Sequence, residues 1–481
     1  MRRKKKAIVK KRKPFRLLNS KKGSASMFIC IILSAVMLVE SVFYYASWIR
    51  NTEADLQRCM SLQAHHALAS YNTKLFDYYG LYAIQPGYRS TDIIEECFPY
   101  AERTESSIIF LGNLETDSLY TGAVKYMKLR VPAMVLTEII QNLKSATDTI
   151  TQSGMQESLK VNQAAAPYLK EIFAGKNDLS GILASAANAI ETLDVTGSLQ
   201  HVTSLAKTYK ELMEQKATLT IQGGISEAQF GDVTNPESFE NVLSIVNGLV
   251  DVDLPDIAEA ALLNEYMIAC FDSQLSNAPS GSGILEKKGE VNFLYTPFSE
   301  VHGENQTDLE YIYTGSENHA KGLATASIYS MRAVISIAEI LLDQQQMTQI
   351  QSIATAISAV IAILSFGMVS IDPAVFQYTI VLIKGLLEGA NETKRLLDGE
   401  EFPLFDNPNM SDTVKKFLNM NYRDYFRFFL LLASKEDKLK RALKPLKRDC
   451  GSELPIKVQI KTNFMNKAFQ IEKEYAMYDA Q

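Results

Sequence analysis

The chain has 481 residues, enough for two or three domains, and its 47% hydrophobic content is that of a globular protein. Its net charge of −6 is unevenly divided: residues 1–22 carry 12 of the 49 Lys and Arg and no acid, which leaves 37 basic against 55 acidic residues beyond them. A body this acidic is repelled by phosphates, which excludes nucleic acid as its partner. The five cysteines, Cys30, Cys59, Cys97, Cys270 and Cys450, have no metal-ligand spacing and predict a fold that does not depend on disulfides.

The first element follows the basic tail, residues 1–22, directly. Ala25–Trp48 is apolar apart from Glu40 and spans about 36 Å as a helix, enough for the hydrocarbon core. Positive flanks stay cytoplasmic, so the tail is expected inside and the body outside. Tyr44, Tyr45 and Trp48, the only tryptophan, mark the outer interface. The run is too long for a cleaved signal, and bulky Tyr44 precedes Ala46 where a small residue would be needed. No Gly or Pro interrupts the chain between Ser24 and Tyr79. Leu56, Cys59, Met60, Ala67 and Tyr71 continue at helical spacing, which predicts a stalk helix over residues 49–71 continuous with the anchor.

Beyond the stalk, two extracytoplasmic regions are expected, 72–279 and 284–481, divided at the flexible Ser280–Gly283. Val131-Pro132 opens a helix. Amphipathic periodicity predicts further helices near 157–173, 180–215, 236–249, 256–272, 319–345, 374–397, 411–432 and 435–446. Ile350–Ile371 has 22 uncharged residues and is long enough for a second span. Its stripe of Ile350, Ile353, Ile357, Val360, Ile361 and Leu364, with Ser352, Thr355 and Ser358 off it, reads instead as a buried core helix. Ile456–Ile460 alternates, and after a turn so do Phe469, Ile471, Tyr475 and Met477, which predicts a C-terminal antiparallel hairpin. Ala217–Gln222 and Val291–Tyr295 are weaker strand candidates. The fold class is mainly α with a minor antiparallel β component (α+β).

Few residues carry a chemical signal. Glu40 is costly inside a bilayer and reads either as an assembly contact with another anchor helix or as a carboxylate that snorkels to the outer interface. His65-His66 point in different directions on a helix and have no ligand at i+4, so no metal is expected. Ser204–Lys207, Ser316–Asn318 and Lys461–Asn463 imitate in order the three motifs of penicillin-binding enzymes. Asn463 stands where that chemistry needs glycine, and the chain is expected to be no enzyme, with no catalytic residue and no cofactor. Tyr422, Tyr425, Phe426, Phe428 and Phe429 read as core packing along a helix.

Lys22-Gly23-Ser24-Ala25 before the long apolar helix resembles the start of TadE/TadG-like pseudopilins of tight-adherence (Tad, Flp) pili. The rest is similar to a family of membrane-anchored proteins of Clostridia-like Gram-positive bacteria related to them. That similarity runs through Tyr71-Asn72 with Tyr79–Leu81, Tyr126–Pro132, Leu263–Tyr266, Leu309–Gly315, Leu397–Gly399 with Pro403-Leu404, and Asn421–Tyr425 with Leu430–Leu432. The resemblance implies a structural part of a pilus or secretion apparatus, with the lipid bilayer, pseudopilin subunits and envelope components as partners. It also implies a candidate processing site at Gly23 and Ser24. Phe28 stands where such sites carry Glu, so the chain is expected to keep its basic tail. The alternative is an extracytoplasmic sensor or binding module on one anchor helix; a basic tail of 22 residues is too short for a signalling domain, which favours the structural reading.

Overall fold

Residues 21–69 contain no proline and one early glycine, and they form one 49-residue helix, α1 (Lys21–Ala69). The structure, a computed structural model, describes residues 21–88, 90–130, 196–226, 254–275, 307–364, 373–404 and 419–478. The helix ends where Asn72 begins a new one: its side chain accepts from Leu75 N and caps α2 (Thr73–Tyr79), which Gly80 closes in the left-handed conformation. The continuous helix expected over residues 25–71 is therefore one helix that starts at Lys21 and ends two residues earlier than the periodicity suggested. Its segment from residue 25 has mean hydropathy 2.3 over its most apolar window, none of which is buried. This helix is long and apolar enough to cross a membrane.

The chain divides into two units, interleaved in sequence. The first comprises residues 1–69, 87–111 and 457–473. In it, Leu56, Cys59, Met60, Ala64 and Ala67 form the buried stripe of α1. α3 (Asp92–Cys97) packs along that stripe. After it comes β1 (Glu105–Asn113), a strand the sequence reading did not anticipate. Gln63, fully buried, fixes the register: its Nε2 donates to Ser90 O at 2.7 Å, and its Oε1 accepts from Ile93 N at 3.0 Å. The aromatic chain Trp48–Tyr100–Phe98 continues the same packing toward the start of the stalk.

The second unit comprises residues 70–86, 112–456 and 474–481. α4 (Thr116–Arg130), α5 (Thr196–Gly223) and α6 (Leu254–Cys270) lead into the short α7 (Asp308–Thr314). α8 (Ala320–Leu342), α9 (Gln344–Leu364) and α10 (Pro373–Leu397) follow and, with α5, pack into the main bundle. The expected helix 319–345 breaks at Asp343, whose carboxylate caps Gln345 N and Gln346 N at 2.9 and 3.0 Å. α8 is also long and apolar enough for a span, but 76% of its apolar window is buried, as in a core helix. Described α9 residues behave similarly: Ile350, Ala354 and Ile357 are buried while Ser352 and Thr355 are exposed. Ser358, placed off the stripe by the sequence, is buried as well.

The strand candidate Ala217–Gln222 is helical, lying inside α5. Leu219 is fully buried and Ile221 86% exposed. A strand would put residues two apart on one face, whereas a helix puts them on opposite faces. Leu205, Leu212 and Leu219, seven apart, set the buried seam. The expected helix over 411–432 is a shorter one: Asn419–Met420 (β3) pairs antiparallel with Phe402–Pro403 (β2) before α11 (Tyr425–Leu432) begins. α12 (Lys435–Cys450) then precedes β4 (Pro455–Phe464) and β5 (Lys467–Glu474), the expected hairpin. β4 is central in the order β1-β4-β5 of a small antiparallel sheet. Ile456, Val458, Ile460, Thr462 and Phe464 are all buried on one face of β4. The helices expected at Val131-Pro132, 157–173 and 236–249, the strand at Val291–Tyr295 and the boundary at Ser280–Gly283 lie outside the described residues.

Candidate functional site

Among the described residues, two places stand out for exposed apolar or buried charged groups. The first is the surface of α1. Met27, Phe28, Ile31, Leu38, Phe43 and Tyr44 are 57–77% exposed, and burial begins only at Trp48. Glu40 is exposed on this helix, one turn from Met37, Phe43 and Tyr44. Ser34 and Ser41 hide their hydroxyls by donating to Ile31 O and Leu38 O, both at 2.8 Å. Glu40 has no such internal route, which leaves its carboxylate as the polar feature of the apolar surface. Gly23 and Ser24 lie in the first turn of the same helix.

The second is a buried ionic network in the larger unit. Arg427 sits within the apolar α11 and is 3% exposed. It forks onto Glu265 of α6, with Nε to Oε1 at 2.5 Å and Nη2 to Oε2 at 3.0 Å, and its Nη1 reaches Asp424. Asp424 in turn accepts from Asn421 N at 2.9 Å in a capping box that starts this segment. Arg423 donates to Ile268 O and to Phe271 O, the latter at 3.2 Å, closing the carboxyl end of α6. Lys438 reaches Leu430 O at 2.7 Å and Asn264 Oδ1 at 2.9 Å, and burial lowers its ammonium to about 8.

Two further cations do the same elsewhere in that unit. Arg332 of α8, 2% exposed, pairs with Glu392 of α10 and donates to Leu404 O at 2.9 Å. Arg448 grips Asp308 bidentately at 2.9 and 2.8 Å, and its neighbour Asp449 accepts from Tyr79 OH at 2.8 Å. Glu310 is different. It is fully buried, and its Oε1 accepts from Tyr422 OH at 3.1 Å and Gln274 N at 3.0 Å. Its Oε2 has no hydrogen-bond partner. Burial outweighs these bonds and nearby Arg423, lifting the carboxyl to about 7.

The network binds helix ends and carboxylates, so it fixes how helices meet. Its sequence signal was a lone charge inside an apolar helix face, as in Ala-Leu-Leu-Asn-Glu265-Tyr or Tyr-Phe-Arg427-Phe-Phe. The same signal marks Glu40 in α1. Glu265, Glu310, Leu404 and Asn421–Tyr425 all contribute to these buried contacts.

The remaining sequence candidates have ordinary surroundings. His65 and His66 are exposed, and His66 Nδ1 lies 2.6 Å from Tyr88 OH. Ser204 is exposed on α5, and the neighbouring Lys207 pairs with Glu211 one turn on, at 3.7 Å. Ser316 Oγ accepts from His319 N in the turn after α7, and Lys461 is exposed on β4. Tyr422, Tyr425, Phe426, Phe428 and Phe429 are 2% exposed or less, so the aromatic run is core. No group of three or more His, Cys, Asp and Glu able to hold a metal ion occurs among the described residues.

Residues 200–475, more than half of the chain, match the model of a family described as "Family of unknown function (DUF5702)". No curated protein and no solved structure matches the chain. The matched span contains the network residues from Glu265 to Arg448 and excludes α1.

Proposed function

Since the chain belongs to that family of unknown function, DUF5702, we propose from its own residues that it is a structural, membrane-anchored protein of a pilus or secretion apparatus. The carrying observation is α1: an exposed apolar surface with one carboxylate, continued by a rigid stalk whose other face is buried in its own unit. Such a helix serves as an anchor and as a lateral contact for a second anchor helix in the bilayer. The basic tail holds the N-terminus in the cytoplasm, and the body lies outside. The resemblance of Lys22–Ala25 and the following helix to TadE/TadG-like pseudopilins supports placing that contact in a tight-adherence pilus. The ionic network supports a load-bearing body, because its cations join helices distant in sequence.

Deletion of the chain in a cell that assembles such pili is expected to abolish surface pili, and Glu40→Ala to reduce them without lowering the amount of membrane-bound chain. Normal pili in the deletion strain would refute the assembly role.

A further inference from the structure

The smaller unit carries a pair of thiols whose placement follows from helix register. α3 runs antiparallel to α1: Gln63 holds the amides of Ile93 and Ile94, and farther along Trp48 meets Tyr100 edge-on at 5.8 Å. Between those two crossings, one turn back from Gln63 on α1 is Cys59. One turn forward from Ile93 on α3 is Cys97. Stepping four residues in opposite directions along antiparallel helices returns to facing positions. Cys59 is 6% exposed on the buried stripe, whereas Cys97 is exposed at the end of α3. The two are close enough for Cys97 to be, after burial, the second cause that raises the Cys59 thiol. Both are free thiols here.

We propose that Cys59 and Cys97 are a redox-active pair that closes to a disulfide, locking the α3 segment onto the stalk helix. The oxidant is a disulfide of the thiol–disulfide exchange class. The Cys97 thiolate, accessible to solvent, attacks one sulfur of the incoming disulfide. A mixed disulfide forms and the first thiolate leaves, taking up the Cys97 proton. The Cys59 thiolate then attacks the Cys97 sulfur, expelling the second thiolate, which takes up the Cys59 proton. Two protein thiols and one disulfide thus become one protein disulfide and two small thiols. The exposed member reacts first because the incoming disulfide can reach it, while Cys59 is shielded on the buried stripe. The closed bridge spans a loop that holds Tyr88, Ser90 and Ile94, and it restricts α3 from leaving the stalk. The chemistry of the pair is independent of the membrane reading, although an extracytoplasmic body would meet an oxidising environment.

The test uses the full chain in detergent, incubated with oxidised glutathione and alkylated before proteolysis. The expected result is a Cys59–Cys97 linked peptide, cleaved by reductant, with Cys270 and Cys450 still alkylatable after unfolding. Cys59→Ser should stop the reaction midway and trap glutathione on Cys97, and Cys97→Ser should leave Cys59 as a thiol. Separate glutathione adducts on Cys59 and Cys97 in the unsubstituted chain would overturn the proposal. So would linkage found only between two copies of the chain. Failure of this pair to close leaves the pilus phenotype unaffected, so the two outcomes are distinguishable.

Discussion

Glu310 shows how burial alone alters a residue's chemistry. Burial pushes its carboxyl up to about 7, against 4.5 for an exposed glutamate, and desolvation is the leading cause. The folded state therefore keeps a proton that the unfolded state loses above about pH 4.5. Stability from this group is fully present at lower pH, falls as pH rises from about 4.5 to about 7, and is flat above that; the loss is about 3 kcal/mol. Glu310→Gln keeps the bond from Tyr422 and should flatten this part of a stability–pH profile measured by denaturant unfolding. An unchanged slope between pH 4.5 and 7 would place the titration elsewhere. Arg427 is the opposite case, a charge buried with its partners. Arg427→Ala leaves Glu265 and Asp424 buried without their cation and should cost about 3–5 kcal/mol, visible as a lower urea midpoint. Arg427→Lys should recover only part, because an ammonium cannot fork onto Glu265.

At the level of elements, close approach and turn geometry decide which residues are tolerated. Gly389 on α10 faces the backbone of α8: a Cβ there would lie 2.6 Å from Ala333 N and 2.7 Å from Ala333 Cα. Backbone cannot rotate aside as a side chain can, so Gly389→Ala should push the helices apart and cost about 1–3 kcal/mol, read as a lower Tm. A substitution without effect on Tm would mean that α8 and α10 do not meet at this depth. The hairpin between β4 and β5 presents the reverse situation. Met465 and Asn466 hold φ of 50° and 61°, the left-handed pair of a tight two-residue turn. Met465 pays a steric penalty that Asn or Gly avoids. Met465→Asn combined with Asn466→Gly should therefore raise Tm, a gain of about 1 kcal/mol. A fall in Tm would show that the methionine side chain contributes packing that the turn needs.

For the molecule as a whole, the anchor and topology make the decisive prediction. Removal of residues 1–48 should release the body from membranes without detergent, while the full chain resists a high-salt wash. In a Cys97→Ser background, a cysteine at the exposed Ser452 should be labelled in intact cells by a membrane-impermeant maleimide. Protection that disappears only on lysis would place the body in the cytoplasm and reverse the proposed orientation. The sequence by itself determined the long first helix, because unbroken apolar periodicity and the absence of Gly and Pro are local properties. It also determined the C-terminal hairpin, where alternation of Ile456, Val458 and Ile460 reports a half-buried strand. It marked α8 to α10 as helices within a few residues, but not that Asp343 caps a new start, since a cap competes with an uninterrupted apolar pattern. Only the tertiary structure decided that β1 is a strand, because Ser106 gains its partner from Thr462, 356 residues on, across a pairing that no local window contains. The same holds for the buried ions. Glu265 and Arg427 each stand alone in an apolar stretch of sequence, but which partner each charge meets, like the pairing of Arg332 with Glu392, is set only by how distant helices pack.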